Sequence, residues 1–296
     1  MIRSSGRVGV IRALGVLLWM LRYDLLAVVV VAALMAALSD KIAFGNAATI
    51  VPLLGVVVSI FIGFRNSNAY SRWWEARTLW GTVVGNCRAI SNALIAVDDG
   101  SDDMATVVDR MRRRQVRHAW QLAAELRGVV PVAGVAELTS EDPATASASA
   151  LLSRQAAEVR NLVHADRIDR QGRVILTNLN TAQAMAAGGL ERIRHQPIPL
   201  PYAMFVRSVA WFFGIMVCTR LDTAGHDNVL GIMVGVLIMT LFIMAERLGH
   251  FIEEPMSNTP FDLPMNRFCA GITADLLGPG HPLARPRDRE DAVIWM

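Results

Sequence analysis

Lysine is almost missing from this chain. Lys41 is the single lysine among 29 basic residues, so the isoelectric point near 9 is the work of arginine. A basic balance can signal nucleic-acid binding. Here the arginines cluster around apolar runs, which reads as charge asymmetry about a membrane, and no nucleic-acid partner is expected. Cysteine is scarce too. Cys87, Cys218 and Cys269 form no CxxC pair and no metal-ligand spacing with the six histidines. That pattern excludes a disulfide framework and a zinc site, and leaves three small buried residues. No metal and no cofactor is expected. The chain also lacks a P-loop, a dinucleotide fingerprint and any legible nucleophile, base and acid order. An enzyme is therefore not expected. Alternating strand patterns and fixed-period repeats are absent as well.

Apolar residues are plentiful: 53% of the 296 residues are hydrophobic, yet 19% are charged. The mixture implies membrane spans plus a substantial polar part. Four apolar stretches stand out, at about 14–38, 47–64, 202–221 and 229–245. A helix needs about 20 apolar residues to cross the hydrocarbon core. The second and fourth stretches come close to that without a charge. The first holds Arg22 and Asp24, and the third holds Arg207. These fit only where the charges meet protein or water, or where long side chains snorkel to the surface. Pairing of Arg207 with Asp24 is one option. The first stretch also has a rival reading as a signal peptide, with Arg3, Arg7 and Arg12 ahead of an apolar run. Arg22 and Asp24 interrupt that run and count against it.

Arginine sets the orientation. The short loop 39–46 carries only Lys41, and 222–228 carries no basic residue. The N-terminal segment, the long middle segment and the C-terminal tail hold nearly all the arginines. By the positive-inside rule, both termini and the middle segment are expected in the cytoplasm. The middle segment, 65–201, reads as helix: 106–127 is amphipathic, a breaker follows at 128–134, and 151–165 and 171–193 continue. Residues 140–143 (Ser-Glu-Asp-Pro) read as a capped start or a turn. The run 196–201 ends the helices with three prolines. After the fourth span the chain starts helical and ends in a tail, 278–291, expected to be extended unless it packs around a neighbour.

The second span carries two stripes with a four-residue step. Gly55, Ser59 and Gly63 form a stripe of small residues; Val56, Ile60 and Phe64 form the stripe beside it. Small residues let helices approach closely in a membrane. A ring of such helices, packed through that stripe, would point Val56, Ile60 and Phe64 at its axis, as a constriction able to gate by dewetting. Any apolar helix offers some stripe of this kind, so on pattern alone contact with lipid or a neighbouring helix outweighs pore lining. Arg65 and Asn66 follow with no break, and the helix is expected to run on through Tyr70, Trp73, Trp74 and Glu75 to Trp80. The tryptophan pair suits the interface belt or core packing equally. Arg72 and Glu75, three apart, are candidates for a surface pair. His250, just after the fourth span, reads as a solvated or satisfied histidine more readily than as a pH sensor.

The run 61–81, FIGFRNSNAYSRWWEARTLWG, with Arg72, Trp73 and Trp74 at its centre and Glu75 after them, closely resembles the signature of the bestrophin family. Glu191-Arg192-Ile193 with Pro197-Ile198-Pro199, then Ile252-Glu253-Glu254-Pro255, then Asp262-Leu263-Pro264, resemble the family in the same order. Bacterial members look most similar. The resemblance implies an all-α membrane protein in which 1–296 forms a single bestrophin-like unit. It implies four transmembrane helices per subunit, a large cytosolic helical region, and a homopentamer around a central pore for small ions. It places the family's hydrophobic neck on Val56, Ile60 and Phe64, with Gly55, Ser59, Gly63, Arg65 and Asn66 at the pore mouth or in helix packing. A looser match puts a second, cytosolic constriction at Val174, with Ile175 next. Animal members resemble chloride channels, and some bacterial ones take cations. Arg65 below the neck could favour anions, or be neutralised by Glu75 or another subunit. The calcium-binding acidic run of animal members is reduced here to Glu253, Glu254 and Asp262, with no contiguous cluster to supply the six to eight oxygens calcium takes, so strong calcium gating is not expected. The bacterial inner membrane is the expected location. Two alternatives stay open: a secondary transporter, which would need paired broken helices, and a membrane-anchored regulatory or scaffold protein.

Overall fold

The computed structural model describes residues 6–38, 47–222 and 229–285. Among the described residues the chain is helical throughout, with eight α-helices and two short 3-10 turns. The helices are α1 (Gly6–Leu38), α2 (Ala47–Ala96), α3 (Asp102–Arg127), α4 (Ala148–His164), α5 (Arg170–His195), α6 (Leu200–Asp222), α7 (Val229–Glu253) and α8 (Met265–Leu277). Four of them are long and apolar enough to cross a membrane, over Leu14–Met35, from Ile50 within α2, Leu200–Thr219 and Leu230–Glu253. The interspan residues 39–46 and 223–228, on which the orientation rests, lie outside the described residues, as does the tail from 286.

The chain divides into two compact units, and α2 contributes to both. The membrane unit comprises α1, α2 as far as Trp73, α6 and α7. Its α2–α6 contact buries Val58 and Ile62 against Val206, Ala210, Phe213 and Val217. Phe61 meets Phe205 edge-on at 5.4 Å, and Phe213 lies 4.6 Å from Phe242 of α7. A second cluster joins Val28 of α1 to Cys218 of α6 and to Met239 and Ile243 of α7.

The polar unit holds the rest of α2 with α3, α4, α5 and α8. Its core includes Ile90, Leu94, Met104, Met111, Val159 and Leu176. Trp80 is fully buried and lies 6.1 Å from Phe268 of α8. Cys87 and Cys269 are buried free thiols in this unit, as Cys218 is in the other, which agrees with the reading of all three as small core residues. Burial pushes the Cys87 thiol up to about 12, so it stays protonated and unreactive.

Local chemistry sets the helix ends. Ser101 caps α3 by accepting from the Met104 amide, Asp102 and Asp103 fill the first turn, and Gly128 closes it at φ 66°. α3 therefore starts four residues before the expected 106. Asp169 caps α5 through the Gly172 amide at 2.6 Å. Residues 140–143 form a turn, and α4 begins later, capped by Ser147. Buried arginines of α3 hold that turn. Arg114 donates to both oxygens of Asp142, and Arg117 donates to the carbonyls of Thr139, Asp142 and Pro143. The run 196–201 ends α5 at His195 as expected, and its last two residues open α6, with Pro201 in the first turn where no helical amide bond is lost.

Candidate functional site

α2 is 50 residues long, about 75 Å at 1.5 Å per residue. It does not stop at the end of its apolar part but continues unbroken past the expected Trp80 to Ala96. One face of it is inward in the membrane unit: Val58, Ile62, Arg65 and Ala69 are all buried, at alternating steps of four and three. Val56, Ile60 and Phe64 lie two residues out of phase with Val58 and Ile62, roughly 200° around the helix. They are 59%, 51% and 64% exposed. The stripe therefore looks away from every helix of its own membrane unit.

The neighbouring small residues divide. Gly55 meets its own chain, because a Cβ there would stand 3.1 Å from the Phe213 ring. Ser59 is exposed and returns its hydroxyl to the Gly55 carbonyl at 2.7 Å. Gly63 is exposed, with open space where a Cβ would be. The small stripe thus serves an α2–α6 contact at one end and leaves its other two members free for a neighbour.

Directly after Phe64 the charge pattern differs from the expectation. Arg65 turns away from Phe64 into the α2–α7 contact and is 1% exposed. Its guanidinium ion-pairs with Glu246 and donates to Glu253 at 3.2 Å. The expected partner Glu75 is instead engaged by Arg192 within the polar unit. Arg65 carries a full charge into a low-dielectric site, and the two carboxylates more than neutralise it. It offers no bare positive charge beneath Phe64. Asn66 donates to the Ala245 carbonyl at 3.0 Å, and Arg72 donates to the Glu253 carbonyl at 2.9 Å. Gly249 lies where a Cβ would collide with the Asn66 side chain, so glycine is what lets α2 and α7 meet here.

Trp73 is half-buried with its ring stacked on Tyr70 at 6.3 Å, and Trp74 is exposed. His250 approaches Glu253 at 4.0 Å. Asp262 is occupied by local bonds, accepting from the amides of Ser257 and Asn258 and from the Thr259 hydroxyl. Two of the three acidic residues at the expected calcium region are thus committed to protein partners. Val174 and Ile175 sit in the first two turns of α5, 44% and 42% exposed, so exposure does not choose between them.

A second ionic group links three spans. Asp24 of α1 accepts from Arg247 of α7 at 2.7 and 3.0 Å, and from Arg207 of α6 at 3.1 Å. The Arg207–Asp24 pairing, one option raised by the sequence, is present; Arg247, Glu246 and the Glu253 link to Arg65 were not foreseen. Arg247 and Glu246 are adjacent charges just past the apolar run 229–245, and an extension of that helix by two turns would have revealed them.

The arrangement is that of a membrane helix bundle in which Val56, Ile60 and Phe64 are among the exposed apolar residues of the spans, next to an enclosed ionic group of one guanidinium and two carboxylates. Comparison with known proteins agrees. The profile of the Bacterial/Fungal Bestrophin protein family matches residues 9–278. The voltage-dependent anion channel-forming protein YneE of Escherichia coli O157:H7 is 30% identical over 240 residues, covering 76% of this chain and 74% of that one. The voltage-dependent anion channel-forming protein mll4386 of Mesorhizobium japonicum is 27% identical over 247 residues, covering 80% and 77%. The crystal structure of a bacterial bestrophin homologue from Klebsiella pneumoniae superposes with a TM-score of 0.79 at 26% identity, over 88% of this chain and 100% of that one. This is a multi-pass membrane protein of a channel family, not an enzyme, and it belongs to the bacterial and fungal bestrophins.

Proposed function

We propose that five copies of this chain surround one pathway for small monovalent ions across the bacterial inner membrane. Val56, Ile60 and Phe64 form its hydrophobic neck, and both termini lie in the cytoplasm. The observation that carries this reading is the exposure of those three residues on the face of α2 opposite its own bundle. In a single chain these apolar side chains are more than half exposed; around a five-fold axis each copy supplies its side of a constriction that ions cross only when it is wetted. Val174 of α5 supplies a second, cytosolic constriction. Gly63 and Ser59, open beside the neck, give adjacent α2 helices room to approach.

An apolar neck does not choose between cations and anions by fixed charge. Arg65 does not choose either, because Glu246 and Glu253 neutralise it. The relatives' names favour anions. Reconstitution in a planar bilayer under a potassium chloride gradient tests both steps. A current is expected, with a reversal potential displaced toward the chloride equilibrium value. No current would overturn the channel reading, and displacement toward potassium would overturn the anion assignment.

A further inference from the structure

The two ionic groups of the membrane unit contain six charges and sum to zero, but unevenly. Arg65 faces two carboxylates, while Asp24 faces two guanidiniums. The negative excess is enclosed, with Arg65, Glu246 and Glu253 side chains 1% to 8% exposed. The positive excess is not. Within the Asp24 group the side chains are 8% exposed for Asp24, 17% for Arg247 and 42% for Arg207. Arg207 is thus the charged end that reaches the surface. Asp24 is already shared: its Oδ1 accepts from both arginines and its Oδ2 from Arg247. It has little left to offset Arg207.

The surroundings of Arg207 are apolar. On the same face of α6 lie Leu200 and Met204, 69% and 59% exposed. A guanidinium on the lipid-facing surface of a span needs a counter-anion or a reach to the headgroups. Asp24, Arg207 and Arg247 lie roughly 17 to 26 Å from the interspan ends of their spans, at 1.5 Å per residue. In a hydrocarbon core about 30 Å thick this places them past the midplane, in the leaflet away from the interspan ends, toward whose headgroups a long arginine side chain snorkels. On α1, one turn from Asp24, Trp19 and Tyr23 are exposed with Arg22 over both rings, as suits an interface.

We propose that Arg207, held by Asp24 beside Arg247, is a binding site for the phosphate of an anionic phospholipid. The guanidinium presents N–H groups toward lipid and matches a phosphate diester in charge and geometry. Asp24 acts as the positioning residue that keeps the guanidinium from folding back along the helix.

Native mass spectrometry of the purified full chain tests this, with phosphatidylglycerol and phosphatidylcholine as probes. Wild-type protein should retain phosphatidylglycerol in preference. Arg207→Gln should lower that preference about five-fold, the worth of one interfacial basic residue, and leave phosphatidylcholine retention unchanged. Arg207→Lys should keep most of it. Equal phosphatidylglycerol retention by wild type and Arg207→Gln overturns the site. So does binding of soluble inorganic phosphate to wild type without a lipid preference, which would make it a free-anion site. Should Arg207→Gln not fold, the wild-type comparison decides alone, since no preference over phosphatidylcholine overturns the proposal. The readout needs no ion flux, so it stands or falls separately from the channel assignment.

Discussion

Arg65 Nη2 lies 3.2 Å from Glu253 Oε2, across the contact between α2 and α7, with the guanidinium sealed from solvent. Glu246 holds the other Nη of the same guanidinium. The residue after the exposed Phe64 is therefore an anchor. It fixes the end of the apolar stripe to α7 through Glu246 and Glu253.

Removing the cation should leave two buried carboxylates uncompensated. Arg65→Gln should destabilise the protein by about 3 to 5 kcal/mol, the usual cost of breaking a buried ion pair by one partner. Thermal unfolding in detergent measures this. A loss near that of a surface arginine, within about 0.5 kcal/mol, would mean the guanidinium is not enclosed as described.

Gly249→Ala should displace the Asn66 side chain and break its bond to the Ala245 carbonyl. The expected cost is about 1 kcal/mol for the lost hydrogen bond, with more where α2 and α7 must separate. The double variant Gly249→Ala, Asn66→Ala removes the colliding side chain. It should cost less than the sum of the two single changes, and a thermodynamic cycle of the four proteins reads that coupling.

His118 of α3 predicts an acid sensitivity of the polar unit. Its Nδ1 donates to the Ala148 carbonyl at 3.0 Å, and burial holds its pKa down at about 4. The unfolded chain takes up the proton near 6.5. Between these values acid favours the unfolded state, so the contribution is fully present above about pH 6.5 and is lost as pH falls toward 4. The loss should approach roughly 3 kcal/mol. In His118→Asn, whose amide can donate to the same carbonyl, this part of the pH dependence of melting should vanish. An unchanged acid slope would assign it to other groups.

The spans were legible because apolar runs near 20 residues long have few other uses. The Val56, Ile60 and Phe64 stripe was legible as a stripe, but not as an outward one. That needed the knowledge that Val58 and Ile62 pack inward, which depends on α6, more than 140 residues away. The partners of Arg65 were hidden for the same physical reason. They lie 181 and 188 residues along the chain, while sequence spacing suggests pairs three or four apart, such as Arg72 with Glu75, and Glu75 is engaged by Arg192 instead. The turn at 140–143 was ambiguous because Asp142 and Pro143 suit a helix start and a turn equally. The decision comes from Arg114 and Arg117, two buried cations that need those oxygens.

The neck itself offers the most direct measurement. Single-channel current through Val56→Ala, Ile60→Ala, Phe64→Ala protein in a planar bilayer should show a higher open probability than wild type, because shorter side chains widen the constriction and make it easier to wet. Arg65 is left intact, so the fold around it should hold. Conductance and gating indistinguishable from wild type would place the ion pathway elsewhere and leave this stripe to lipid.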